Sequence, residues 1–347
     1  MQLTPTRLIN AGPMEGLARL QSELALRQKE LSTGRKADVG LEAGSEIRRN
    51  VSLTSSLSEI DAFQSLNGVA AARLGGAQSA LGSIAKAAGD FLGDGIPARD
   101  APNARFLMGQ AASNALIDMN RSLNTKIGGF PVFGGQSLDA APMKDFTGAE
   151  GAPARAAIDA AFQSQFGFFP NDPQAANLST ADMQTFFEGD FSALFDGANW
   201  ETLWSNASAN PMRVEISPGV TAETSSTTHL QGIKDLAKSY VALSYFKDTP
   251  VTDHAFKGMI DASLKSTGSA RSGLTFAQAN LGLAEERVSH ANTRLSEMEA
   301  IFSRSLSGLE ATDPFDVAAR INTLLTGIEA TYAMTARLQR LSLVNFL

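Results

Sequence analysis

The chain has 347 residues, 43% of them hydrophobic, with 29 Lys and Arg against 36 Asp and Glu and no cysteine. That length can bury a sizeable core in two or three domains, while the missing thiols exclude disulfides and thiolate metal sites. The net charge of −7 argues against nucleic acid, whose phosphates call for a basic face. Met1–Arg7 holds no apolar signal core and no run of eighteen apolar residues occurs, so neither a cleaved signal nor membrane insertion is expected.

From the N-terminus, Leu17, Leu20, Leu24 and Leu31 share one helical face. The pattern predicts a helix that follows a turn at Asn10-Ala11-Gly12-Pro13 and ends at Ser32-Thr33-Gly34 with a glycine cap. A long helix is predicted next, with Leu53, Ile60, Asn67, Leu74, Leu81 and Ala88 at intervals of seven. A second row is expected four positions after each, at Leu57, Gln64, Ala71, Gln78, Ala85 and Leu92. A third helix spans roughly 103–126, and Gly128-Gly129-Phe130-Pro131-Val132-Phe133-Gly134-Gly135 reads as a short extended or hairpin element.

Residues 139–226 differ in composition from the rest. They hold twelve acids against three bases, both tryptophans and nine of the twenty phenylalanines, as a separately folded insert would. Helical pieces around 182–195 and a strand at Arg213–Ser217, closed by Pro218-Gly219, make this segment α+β.

Helical signal returns at Leu230–Phe246 and at Ala255–Leu264. The heptad row Leu274, Leu281, Val288, Leu295, Phe302 and Leu309 follows, with Ala277, Ala284, Ala291, Met298 and Ser305 three positions on. Such small residues suit a tight helix pair. Asp313-Pro314 starts a last helix as N-cap and first-turn proline, whose apolar face is Val317, Ile321, Leu324, Leu325, Ile328, Tyr332 and Leu338. The chain closes on Leu341-Ser342-Leu343-Val344-Asn345-Phe346-Leu347, with no polar tail.

These patterns predict a mainly α fold, in which long paired N- and C-terminal coiled-coil-like helices carry an inserted α+β outer domain. The segments are an N-terminal assembly helix (1–40), the N-terminal half of the helical core (41–139), the acidic outer domain (140–226), the C-terminal half of the core (227–310) and a C-terminal assembly helix (311–347). Leu53, Ile60, Leu74 and Leu81 are expected to meet Leu281, Val288, Leu295 and Phe302 in an intrachain seam. The outer segments then lack an obvious mate. Leu17, Leu20, Leu24, Leu31, Ile321, Leu324, Ile328, Leu338, Leu341, Leu343, Val344, Phe346 and Leu347 are therefore the candidate assembly interface.

Chemical motifs are weak by comparison. His229, His254 and His290 lack metal-ligand spacing, and Ser83-Ile84-Ala85-Lys86 has the Ser-x-x-Lys spacing of penicillin-recognising enzymes without its partner elements. No glycine-rich phosphate cradle is present. No catalytic site, metal or cofactor is expected.

Gln28-Lys29-Glu30-Leu31-Ser32-Thr33-Gly34-Arg35 resembles the N-terminal Leu-Ser-Ser/Thr-Gly element of the flagellin family. Asn67 to Ile84 is similar to that family's long second helix, and Leu123-Asn124 with Phe133-Gly134-Gly135 to its stretch leading into the variable region. Glu286-Arg287-Val288 to Leu295 and Leu341 to Leu347 resemble its paired C-terminal helices. The one acid after Gly34, Asp38, and the proline at 131 depart from the flagellin pattern. Within the family, the close of the chain is more like the hook–filament junction subunits than the filament subunits. The resemblance implies a non-enzymatic, extracellular flagellar subunit exported through the flagellar type III route. Its implied partners are further copies of itself in a ring, hook-associated protein 1 on the hook side, flagellin on the filament side and an export chaperone.

Overall fold

The structure, a computed structural model, describes residues 6–37 and 47–344, with side-chain surroundings over 14–37 and 47–337. Three long helices come first: α1 (Thr6–Thr33), α2 (Ile47–Ala98) and α3 (Ala104–Leu123). A two-residue hairpin follows, β1 (Lys126–Ile127) with β2 (Phe130–Pro131). The insert holds α4 (Ala152–Phe166), α5 (Thr180–Glu188), α6 (Asp190–Ala193), a π turn (Trp200–Trp204) and the hairpin β3 (Arg213–Ser217) with β4 (Val220–Glu223). Helices α7 (Gln231–Phe246), α8 (Asp253–Glu310) and α9 (Pro314–Val344) complete the chain. The fold is mainly α with a small α+β insert, as the sequence indicates.

Two compact units result, one of residues 1–62 with 296–347 and the other of residues 63–295. In the first, α1 packs on α9. Gly34, at φ +68°, takes the left-handed conformation that stops α1, and its N–H bonds Glu30 O at 2.8 Å. Asp313 caps α9 by accepting the Phe315 N–H at 2.8 Å, with Pro314 at the first position, where its missing donor costs nothing. Helix α1 continues through Asn10–Pro13, where the sequence predicts a turn. An interior proline gives up one helix hydrogen bond and crowds the preceding turn, which disfavours a helix and can kink it without ending it.

In the second unit α2 and α8 run antiparallel. Asn67 bonds Asn292, Gln78 Nε2 donates to Gln278 O at 2.7 Å, and Arg99 forms a two-point ion pair with Asp261. Leu74, Leu81 and Ala88 are buried, and so are Leu281, Val288 and Leu295. The second row of α2 differs from the sequence pattern. It lies three positions on, at Ala70, Ala77, Ile84 and Phe91, which are buried, whereas Ala71 is exposed. The long helix is covered by more than one neighbour here, which widens its buried stripe beyond a two-helix seam.

Helix α8 is continuous from Asp253 to Glu310, although its Lys265–Gly273 stretch carries little helical signal. Tertiary contact overrides propensity there: Thr267 and Ala270 are fully buried, and Gly273 lies against the backbone of Gly232 on α7.

The insert's aromatic residues form a connected cluster. Phe195 stacks on Trp204 with centroids 4.3 Å apart, and Phe162 packs on Phe186 at 5.3 Å. Phe246 of α7 joins from outside the acidic segment, 5.6 Å from Phe162 and 5.9 Å from Phe186. The short β1–β2 hairpin turns on Gly128 and Gly129, at φ +61° and +86°, the pair of positive φ values that the tightest hairpin requires.

Candidate assembly interface

Every described residue of the sequence-predicted assembly interface lies in the first unit. Leu17, Leu20 and Leu24 of α1 are half-buried, as are Ile321 and Ile328 of α9, and Leu324 is buried. They lie on an intrachain pair. A Cβ on Gly327 would stand 3.8 Å from Leu20 Cδ1, and Gln21 Nε2 donates to the Tyr332 hydroxyl at 3.2 Å. The sequence left the outer helices without a mate; in the structure each is the other's. Short-range periodicity identifies an apolar face but not which distant face covers it. Leu338, Leu341, Leu343 and Val344 are described by backbone alone, in the last turns of α9. Phe346 and Leu347 lie outside the described residues.

Where α1 ends and α9 begins, the backbones are stitched together. Thr312 N–H donates to Gly34 O at 3.2 Å and Lys36 N–H to Glu310 O at 2.8 Å, while Arg35 and Ala311 form an antiparallel bridge. Two carboxylates organise this joint. Glu310 accepts from Asn50 Nδ2 at 3.1 Å and lies 3.4 Å from Arg35. Glu30, only 2% exposed, accepts the Ala37 N–H at 2.9 Å and pairs with Arg27 at 2.7 Å. Burial by itself would raise the Glu30 carboxyl. The Ala37 N–H and the Arg27 guanidinium outweigh that and hold it below the usual carboxylate range.

The intrachain pair leaves apolar surface uncovered. Met14, Leu26 and Leu31 of α1 are exposed, and so are Phe315, Leu325, Tyr332 and Met334 of α9. Phe315 is 86% exposed. Of these, Met14, Leu26, Phe315 and Met334 were not singled out by sequence, because they lie off the faces that the periodicity marks. A large apolar residue directly after a helix-capping Asp-Pro is the one local signal available for Phe315.

The chemical motifs resolve into structure. Ser83 Oγ donates to Ser79 O at 3.0 Å and Lys86 pairs with Asp90 at 2.8 Å, so the Ser-x-x-Lys spacing is a turn of α2. His229 Nε2 lies 3.1 Å from Ala207 O, and His290 is exposed beside Glu286 on α8. Among the described residues no group of three or more metal-ligating side chains is assembled, and no helix is long and apolar enough to cross a membrane.

Two family models match the sequence. The bacterial flagellin N-terminal helical region matches residues 8–133 and the bacterial flagellin C-terminal helical region residues 264–347; together they take in more than half of the chain. Similar solved structures include one assigned as a flagellar hook-associated protein from Vibrio parahaemolyticus, at 13% identity and a TM-score of 0.49, covering 75% of this chain and 95% of that one. Another is the crystal structure of FlgL from Bacillus cereus, at 12% identity and a TM-score of 0.49, covering 74% of this chain and 99% of that one. No curated protein gives a significant match.

Proposed function

The chain belongs to the bacterial flagellin family, and from that premise we propose that this flagellar structural subunit is the junction piece between hook and filament. The observation that carries an assembly role is the α1–α9 pair: both ends of the chain meet in one module whose outward faces keep Met14, Phe315, Tyr332 and Met334 exposed. Large apolar side chains left exposed on both helices are surface that a further copy of the chain would cover. Leu17, Leu20, Leu24, Ile321, Leu324 and Ile328 build the module, and Leu31, exposed on α1, stands with the apolar residues available to neighbouring copies. The choice of junction over filament rests on the chain's apolar close, Leu341-Ser342-Leu343-Val344-Asn345-Phe346-Leu347. In this role the subunit works without catalysis, as a ring outside the cell between hook-associated protein 1 and flagellin, delivered by the flagellar export route with a chaperone. Residues 140–226 supply its outward-facing portion.

Electron microscopy of a deletion strain tests the proposal. Complete hooks without filaments, with flagellin shed into the medium, are expected. Normal filaments overturn the junction role, and complete loss of the bulk filament protein points to a filament subunit instead.

A further inference from the structure

In the second unit an apolar groove of about 260 Å³ opens between α2 and the two hairpins. Leu66 and Val69 of α2 and Phe130 of β2 are exposed along it, with Met212 and Val214 opposite. Two polar side chains that also line it are incompletely satisfied. Thr224, 1% exposed, has no partner for its hydroxyl, and Arg73, 6% exposed, has none for Nε. Arg73 donates through Nη2 to Pro131 O at 3.2 Å and through Nη1 to Met212 Sδ at 3.4 Å. Among the described residues no carboxylate pairs with it.

A guanidinium keeps its charge even when buried, and a buried charge without a counter-ion is costly. Burial holds Arg73 below the ordinary guanidinium value, as an uncompensated charge should be. The groove thus lacks two things: apolar side chains to cover Leu66, Val69 and Phe130, and a carboxylate for Arg73.

The same unit carries both on a different surface. Along α8, Phe276 and Leu283 are 70% and 56% exposed, seven residues apart on one helical face. Glu286, a further three along, presents an exposed carboxylate 3.4 Å from His290. Residues at these spacings form one stripe. We propose that the Phe276–Leu283–Glu286 stripe of one copy docks in the Arg73 groove of the next, with the Glu286 carboxylate supplying the missing counter-charge. Groove and stripe are distinct patches, so the contact is heterologous and propagates from copy to copy, closing a ring or continuing a helix as its rotation dictates. The inference rests on self-assembly as proposed above and names the faces that meet.

The natural absence of cysteine makes a disulfide test clean. Full chains carrying V69C, L283C or both are expressed as the sole copy in the cells that make the protein, then oxidised in place. The double variant is expected to give a ladder of linked multimers, while each single variant stays unlinked. Adding E286K to the double variant is expected to cut the ladder at least tenfold. Assembly without a ladder, V69C joined to itself, or V69C joined to a different polypeptide each overturns the docking. Should cysteine at either site block assembly, E286K alone decides, because that exposed change leaves the fold intact: reduced incorporation supports the groove and normal incorporation overturns it. An unmodified chain that never self-associates sinks the assembly reading itself, a result separable from assembly without the ladder.

Discussion

Asn67 of α2, itself fully buried, donates from its side-chain nitrogen to the half-buried Asn292 side-chain oxygen of α8 at 2.8 Å. The same Nδ2 also bonds Ile216 O of β3 at 2.8 Å, so one amide ties both long helices to the insert's hairpin. A polar residue at a seam position costs stability but selects one register. Replacing Asn67 with Ala is expected to cost about 1–3 kcal/mol, since it strands the buried carbonyl of Ile216 and leaves the half-buried Asn292 amide without this partner. A double-mutant cycle with Asn292→Ala should return a coupling of roughly 0.5–3 kcal/mol. Urea unfolding followed by tryptophan fluorescence reports this unit alone, because Trp200 and Trp204 are both buried within it. Additive losses would show that the pair does not cooperate.

Phe246 is expected to be the most sensitive aromatic position. It is fully buried and contacts Phe162, Phe186, Phe191 and Tyr245. Truncating it to Ala should cost about 3–5 kcal/mol, read as a lower urea midpoint at unchanged slope. A loss under 1 kcal/mol would mean that residues 140–226 hold their core without α7.

Two helical glycines should respond to the same change with opposite signs. A methyl group on Gly327 meets only Leu20 Cδ1, at an ordinary 3.8 Å, so Gly327→Ala gains helix propensity and stabilises by about 0.5–1 kcal/mol. On Gly232 the methyl would meet Ala270 O at 2.7 Å and Leu274 N at 3.1 Å. That is backbone which cannot swing aside, so Gly232→Ala destabilises. Calorimetric melting of the two variants reads the signs directly.

Glu30 makes the joint of the first unit pH-dependent. Its folded pKa lies below the unfolded value, so its contribution is present above the unfolded pKa and is lost as pH falls through the folded one. Glu30→Gln is therefore expected to lower the melting temperature at pH 7. The difference from the unmodified chain should shrink as pH falls below the usual carboxylate range. Circular dichroism melts at pH 7 and pH 3 compare the two, and a difference that persists undiminished at pH 3 removes the charge from the explanation.

Removing residues 341–347 is expected to leave the helical signal of the purified chain nearly unchanged while abolishing its incorporation at the hook tip. Val317, Leu324 and Gly327, which pack or approach α1, all precede the cut. Circular dichroism and an incorporation assay read the two halves separately. A truncated chain that still joins the hook would detach the apolar close from assembly.

Much of the local structure was legible in order along the chain. Seven-residue spacing marked the long helices, Asp313-Pro314 the start of α9, Gly34 the end of α1 and Pro218-Gly219 a hairpin turn, because each acts through dihedral preferences or hydrogen bonds a few residues away. What the sequence could not supply was which surfaces meet. Ala70 rather than Ala71 is buried on α2 because several neighbours cover that helix. The Lys265–Gly273 stretch is helical because Gly273 and Ala270 fit against Gly232. Leu20 faces Gly327 across more than three hundred residues of chain, and Arg73 loses its water beneath a groove drawn from α2 and two hairpins. Periodicity is a short-range signal set by the geometry of one helix, whereas pairing and desolvation depend on contacts between segments remote in sequence; only the tertiary structure brings those segments together.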